Sequence, residues 1–130
     1  MKKHHYMLIC GGRDYADYSA MQTHVAAVAK KVASAGGELH IVSGGAKGAD
    51  TLAANAADKL DIDSIVIHAD WERHGRSAGY KRNERMALYL TKRVQAGATA
   101  CVVAFPGGRG TDMMRDIAHR DGLKCFSSPV

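Results

Sequence analysis

Five short apolar runs alternate along the chain with longer stretches in which apolar side chains recur every three or four positions. The runs near 5–10, 39–43, 63–68, 99–105 and 123–126 read as strands, and the stretches near 17–35, 48–60, 78–96 and 111–121 read as helices. In the first helix Met21, Val25, Val28 and Val32 share one stripe, and Gly36-Gly37 closes it. Ser64-Ile65-Val66-Ile67 and Ala100-Cys101-Val102-Val103-Ala104 are almost continuously apolar, which suits strands of a parallel sheet covered on both faces. Right-handed crossovers then predict one α/β domain over residues 1–130, a doubly wound three-layer sandwich with a mainly parallel sheet of about five strands.

Three of these strands run into glycine-rich turns, each expected to open a helix: Cys10-Gly11-Gly12-Arg13-Asp14-Tyr15, Ser43-Gly44-Gly45-Ala46-Lys47-Gly48 and Pro106-Gly107-Gly108-Arg109-Gly110-Thr111. Such turns gather outside the carboxyl ends of parallel strands, where ligands bind. Glycine lets backbone N–H groups approach an anion, and a helix start adds the positive end of its dipole. One such turn alone is an ordinary strand-to-helix connection; three together point to an anionic, phosphorylated small molecule. The P-loop does not occur, because Lys47 precedes Gly48, and neither does the G-x-G-x-x-G dinucleotide fingerprint.

Composition narrows the picture without redirecting it. The chain has 130 residues, 46% hydrophobic and 24% charged, enough to bury one core. No apolar run approaches membrane-spanning length, and the basic start Met1-Lys2-Lys3-His4-His5 leads only into a strand-length apolar run, so no signal peptide is expected. Cys10, Cys101 and Cys125 lack C-x-x-C spacing and read as buried reduced thiols of a cytoplasmic protein. The seven histidines show no H-x-x-x-H or cysteine–histidine spacing, so neither a metal nor another cofactor is expected. The letters G-x-S-x-G occur at Gly75-Arg76-Ser77-Ala78-Gly79 but not directly after an expected strand, and no cysteine–histidine pair is arranged as a nucleophile, so covalent catalysis has no support.

The net charge of +5 is concentrated. Residues 73–93 carry Arg73, Arg76, Lys81, Arg82, Arg85, Lys92 and Arg93 against Glu84, a local +6 that leaves the rest of the chain at −1. A positive field at the carboxyl edge of the sheet attracts phosphate. Arg76 and Arg82, flanking Gly79, are the ligand candidates, while Lys92 and Arg93 read as a solvated helix face.

Five ordered blocks, Gly-Gly-Arg-Asp-Tyr at 11–15, Gly-Gly-Ala-Lys-Gly-Ala-Asp at 44–50, Ala-Asp-Trp at 69–71, Gly-Arg-Ser-Ala-Gly at 75–79 with Arg82-Asn83 and Met86, and Phe-Pro-Gly-Gly-Arg-Gly-Thr at 105–111, resemble the YspA-like, cpYpsA-related branch of the SLOG superfamily. The resemblance spans nearly the whole chain. It implies a Rossmann-like sheet that binds nucleotides or nucleotide-derived ligands, and a homodimer, for which the helix near 78–96 with Ala87, Leu88 and Leu90 is the candidate face. The superfamily includes Lonely Guy-type phosphoribohydrolases, DNA-processing protein A and sensor domains of immune systems. The expected ligand-binding residues are Gly11, Gly12, Arg13, Asp14, Gly44, Gly45, Lys47, Asp50, Asp70, Trp71, Arg76, Arg82, Asn83, Pro106, Gly107, Gly108, Arg109, Gly110 and Thr111.

Lonely Guy enzymes read Pro-Gly-Gly-x-Gly-Thr-x-x-Glu and Arg-Lys-x-x-Met. This chain keeps Pro106 to Thr111, Arg82 and Met86, but has Met114 in place of the catalytic glutamate and Asn83 in place of the lysine. A thioether cannot exchange a proton or stabilise an oxocarbenium-like centre. Asp112 lies about 200° around the helix from Met114 and suits the helix dipole better than catalysis. Asp50 and Asp70, with Arg82, are the remaining catalytic candidates. Asp50 reads equally as a first-turn helix residue and Asp14 as a turn cap. Trp71, Tyr80 and Tyr15 are candidates for stacking on a base, Trp71 and Tyr15 alternatively for sealing the sheet edge, and His74 is a candidate for ligand contact or for solvation. The leading expectation is a protein that senses or sequesters a nucleotide or phosphorylated nucleoside. The alternatives are a hydrolase or transferase acting on the N-glycosidic bond of nucleoside monophosphates, and single-stranded nucleic-acid binding, against which stands an aromatic content of only 6%.

Overall fold

The computed structural model describes residues 2–128. Strands β1 (Lys3–Cys10), β2 (Gly37–Ser43), β3 (Asp63–Val66), β4 (Thr99–Ala104) and β5 (Lys124–Ser127) form one all-parallel sheet in the order β3-β2-β1-β4-β5. Helices α1 (Tyr18–Ser34) and α2 (Ala49–Lys59) cover one face, and α4 (Ala78–Gln95) and α5 (Arg109–Arg120) the other. A short α3 (Trp71–His74) and a 3-10 turn (Gly75–Ser77) lead into α4. This strand order is that of a Rossmann-like α/β/α sandwich.

Alternation along β1 explains the layers. Met7 and Ile9 point into a core with Met21, Val25, Ile41 and Phe105, while Leu8 and Cys10 point into a second core with Met86, Leu90, Val102 and Met114. Alanines 49, 53, 56 and 57 give α2 a small-residue face, fully buried, that lets it sit close to the sheet. The Met21–Val25–Val28–Val32 stripe lies as expected, with Met21 and Val25 fully buried and Val28 and Val32 partly so.

Several expectations are corrected. β3 is a four-residue edge strand, Asp63–Val66, paired only with β2, and its apolar run is covered only in part: Ile65 packs half-buried against the second core and Val66 is 37% exposed. Gly37 belongs to β2, opposite Lys3, and only Gly36 serves the end of α1. The first glycine turn does not open α1 directly; that helix starts at Tyr18, capped by Asp17, whose carboxylate accepts the Ala20 N–H at 3.0 Å. α3 has no counterpart in the sequence reading, because four residues are too few for a periodic signal. On α4, Ala87 and Leu90 are fully buried in the core and leave only Leu88 of the suggested dimer face exposed. Cys10 and Cys101 are buried and free, whereas the free Cys125 is only half-buried.

The two helices on the second face are joined by Arg120 of α5, which grips Glu84 of α4 with both terminal nitrogens. Tyr80 also donates to Glu84, at 2.8 Å, and these bonds hold its carboxyl at about 2, well below the ordinary 4.5. A carboxyl depressed in the folded state stabilises the fold above its unfolded value, and that contribution is lost as pH falls through the folded value. The melting temperature of the wild type is therefore expected to fall more steeply than that of Glu84→Gln between pH 4.5 and about 2, with the difference shrinking in high salt. Parallel melting profiles would show the pair to be energetically silent.

Candidate functional site

From β1 the chain crosses to β2 on one side, and from β4 it crosses to β5 on the other, so the loops leaving β1 and β4 diverge. A cleft opens there, outside the carboxyl ends of the strands. The two loops are laced together. Gly12 donates its N–H to the Pro106 carbonyl at 2.8 Å, and its own carbonyl accepts from Tyr15 at 3.2 Å and Ala49 at 3.1 Å. Such close approach excludes side chains: a Cβ on Gly12 would stand 3.0 Å from Gly107 Cα, and one on Gly107 would stand 2.6 Å from Gly12 N. Gly48, at φ +80°, turns the chain into α2, and a Cβ there would overlap the Gly12 carbonyl. Gly108 and Gly110 differ, since a Cβ on either would meet no protein atom within 4 Å.

The cleft has a volume of about 1210 Å³. Gly11, Gly12, Arg13 and Asp14 line it from the β1 loop, Gly44, Gly45, Lys47 and Asp50 from the β2 loop and α2, and Pro106, Gly107, Gly108, Arg109, Gly110 and Thr111 from the β4 loop and α5. Trp71, Arg76, Arg82 and Asn83 close the remaining side with Tyr80. Asp70 does not line it and is corrected: it caps α3, its exposed carboxylate accepting the Arg73 N–H at 3.1 Å. His74 is likewise outside the lining, beside Lys81. Asp17, His68 and Met113 also line the cleft, outside the glycine blocks and the basic segment. No periodicity or motif marks His68, which approaches Gly45 only through the fold.

Arg82 organises the centre. Its guanidinium donates to the Gly44 carbonyl at 2.6 Å and to Asn83 Oδ1 at 3.0 Å, while Asn83 Nδ2 donates to the Gly110 carbonyl at 3.3 Å. One arginine–asparagine pair thus joins the β2 loop, α4 and the first turn of α5. Burial lowers the Arg82 pKa and the nearby Asp50 charge counters this, so the side chain remains a cation. Asp50 is buried on α2 and accepts the Ala46 N–H at 3.1 Å. Burial raises its pKa, opposed by the Ala46 and Gly44 backbone and by Arg82. Asp50 thereby closes its own loop as a first-turn residue.

The helix starts divide into two kinds. Asp17 and Asp70 cap α1 and α3, whereas α2 and α5 begin after Gly48 and Gly108 with no side-chain cap. At α2 the start is already occupied, by the Gly12 carbonyl on Ala49 and by Asp50 on Ala46. At α5 the first turn, Arg109-Gly110-Thr111, faces the cleft. Uncapped N–H groups at a helix start favour anions.

Catalytic groups are sparse. Met114 is fully buried in the second core and does not reach the cleft, and Asp112 pairs with Arg115 at 3.1 Å. Among the described residues the carboxylates lining the cleft are Asp14, Asp17 and Asp50, of which only Asp50 is buried. Cys10 also lines it, but burial, with Asp50 nearby, pushes its thiol up to about 12, so it is no nucleophile at neutral pH. Trp71 lies 52% exposed at the cleft wall over Gly79, rather than sealing the sheet edge. Tyr15 leans on Phe105, ring centroids 5.2 Å apart, and so serves both the core and the cleft wall.

A glycine-laced cleft at the switch point of a 3-2-1-4-5 sheet places the chain among Rossmann-like α/β domains. The chain belongs to the YspA, cpYpsA-related SLOG family, which matches residues 6–74. It is 35% identical over 124 residues to the Gene 61 protein of Mycobacterium phage D29, with 90% of each chain covered. Among solved structures, a predicted subunit of tRNA methyltransferase from Methanocaldococcus jannaschii is similar with a TM-score of 0.39 and 14% identity, over 97% of this chain and 67% of that one. Among the described residues no helix is long and apolar enough to cross a membrane.

Proposed function

We propose that the cleft binds a nucleotide or phosphorylated nucleoside and that the protein senses or sequesters this ligand rather than transforming it. The phosphate sits at the start of α5 and the base lies against Trp71 and Tyr80. The observation that carries this reading is the open space over Gly108 and Gly110 at an uncapped helix start inside the cleft. Gly12, Gly48 and Gly107 are accounted for by the protein's own packing, and these two are not. Lys47, Arg76, Arg82 and Arg109 supply cationic side chains around the same space, and the exposed faces of Trp71 and Tyr80 suit a base. Membership of the SLOG family supports a nucleotide-related role.

A thermal-shift panel of nucleotides and nucleoside monophosphates tests it. A true ligand at a hundredfold excess over its Kd stabilises the fold by about 2.7 kcal/mol. Arg82→Ala and Arg109→Ala are expected to weaken binding by about 1.5–3 kcal/mol each, the usual loss for a charge-assisted hydrogen bond. Lys92→Ala, outside the cleft, is expected to be silent. Stabilisation by long single-stranded DNA alone, or equal losses at all three positions, would replace this reading with a diffuse basic surface.

In this reading two copies pair through the outer face of α4, where Leu88 is 54% exposed. Light scattering at micromolar concentration is expected to give twice the subunit mass, and a single subunit's mass would remove the pairing.

A further inference from the structure

At the opposite end of the sheet from the cleft, strand pairing assembles a cluster that no local spacing announces. The β1–β2 register sets His4 opposite Glu38 and Tyr6 opposite His40, and the β2–β3 register sets His40 opposite Asp63. Residues two apart on a strand share a face, so the imidazoles of His4 and His40 meet with Glu38 beside them. His4 Nδ1 lies 2.8 Å from His40 Nε2 and 3.8 Å from Glu38 Oε2, and the ligand atoms of all three residues lie within 4.8 Å of one another.

His40 is fixed in place. Its ring is buried, stacks on Tyr6 at 4.5 Å between centroids, and meets Asp63 Oδ2 through Nδ1 at 2.7 Å. A carboxylate on Nδ1 holds the proton there and leaves the Nε2 lone pair facing His4 and Glu38. A carboxylate orienting an imidazole in this way is the usual outer support of a metal-bound histidine. A plain hydrogen-bond chain explains His4, His40 and Asp63, but it does not use Glu38, which is too far from His4 for a hydrogen bond.

We propose that His4, Glu38 and His40 form a binding site for a divalent transition cation of the zinc class, with Asp63 as the positioning residue. Two imidazole nitrogens and one carboxylate oxygen are a donor set that zinc accepts, with water completing a tetrahedron. Metal–nitrogen bonds of about 2.0–2.1 Å in a tetrahedron place the donors roughly 3.3 Å apart. His4 must therefore withdraw by about half an ångström and carry its proton on Nε2, on the solvent side. Its side chain is 46% exposed, as is that of Glu38, which leaves room for that movement.

Calorimetric titration of the full chain, freed of metal by chelator, with zinc chloride tests the site. One zinc per chain is expected, with a Kd in the micromolar range or below. His4→Ala and Glu38→Gln are each expected to weaken binding at least tenfold, and Asp63→Asn by about 10–100-fold. His119→Ala, an exposed histidine outside the cluster, is expected to change nothing. Melting curves without zinc show that each variant folds, and the buried His40 is left intact for that reason. A cobalt titration is expected to show visible bands of nitrogen and oxygen coordination. The proposal is overturned by no saturable binding at submillimolar zinc, by binding undiminished in both His4→Ala and Glu38→Gln, or by a thiolate charge-transfer band placing the ion on a cysteine.

Discussion

Alanine at position 48 will lower the melting temperature by roughly 10 °C. Gly48 stands at φ +80°, where a side chain costs about 1–2 kcal/mol, and its Cβ would also be driven into the Gly12 carbonyl. Forced overlap with backbone adds about 1–3 kcal/mol more. For a domain of this size each kcal/mol moves the midpoint by about 3–5 °C. The loss falls on the site as well as on the fold, because the Gly12 carbonyl is also the acceptor for Ala49 and Tyr15. Gly110→Ala is the matched contrast. It lies inside α5 with open space beside it, and alanine in a helix gains up to about 1 kcal/mol over glycine. Circular-dichroism melts of the two variants decide the matter: equal midpoints would show that the β1 and β2 loops yield without cost. A stable Gly110→Ala protein that has lost nucleotide binding would give that glycine its functional reason.

What the sequence made legible follows from the range of each interaction. Strand–helix alternation and the stripe on α1 are local, and they suffice for the parallel sandwich. The environment of a strand is not local. The apolar run at 64–67 carries no sign that β3 has a neighbour on one side only, because strand order is set by crossovers. At the cleft, residues inside glycine motifs were legible because backbone approach and turn chemistry leave a signature at fixed offsets. The cap at Asp70 is illegible for a related reason: the offset to Arg73 is that of a cap, but a helix of four residues leaves no periodic trace to announce what is being capped. His68, and the cluster of His4, Glu38 and His40, depend on register between segments distant in sequence, and no single-chain pattern encodes them.

Met114 stands where the Pro-Gly-Gly-x-Gly-Thr-x-x-Glu pattern would place its glutamate. A glutamate at that position would have to occupy a fully buried site among Leu8, Met86, Val102 and Leu123. A carboxylate there faces a desolvation cost of several kcal/mol. The methionine instead completes the core beneath α5. The first turn of that helix presents backbone and the cationic Arg109 to the cleft, and the one buried carboxylate lining the cleft among the described residues, Asp50, is already committed to Ala46.

Incubated with the common nucleoside monophosphates, the protein will release no free base, or only traces. Cleaving an N-glycosidic bond needs a group that trades a proton or stabilises positive charge at the anomeric carbon, and losing a positioned acid or base forfeits about 10²–10⁴ in rate. Asp50 is the only buried carboxylate lining the cleft among the described residues. One of its oxygens accepts a backbone N–H that closes the β2 loop, so moving it toward a sugar would open the loop that Arg82 braces through Gly44. Asp14 and Asp17 are exposed, Asp17 is engaged as the cap of α1, and Cys10 is protonated at neutral pH. The phosphate binding proposed at the start of α5 asks nothing of these groups, so affinity is expected to survive where turnover does not. Chromatographic assay for free base, run beside the thermal-shift panel on the same ligands, separates the two. Binding without release supports a protein that holds its nucleotide, whereas brisk release abolished by Asp50→Asn would make the protein an enzyme working through a displaced carboxylate.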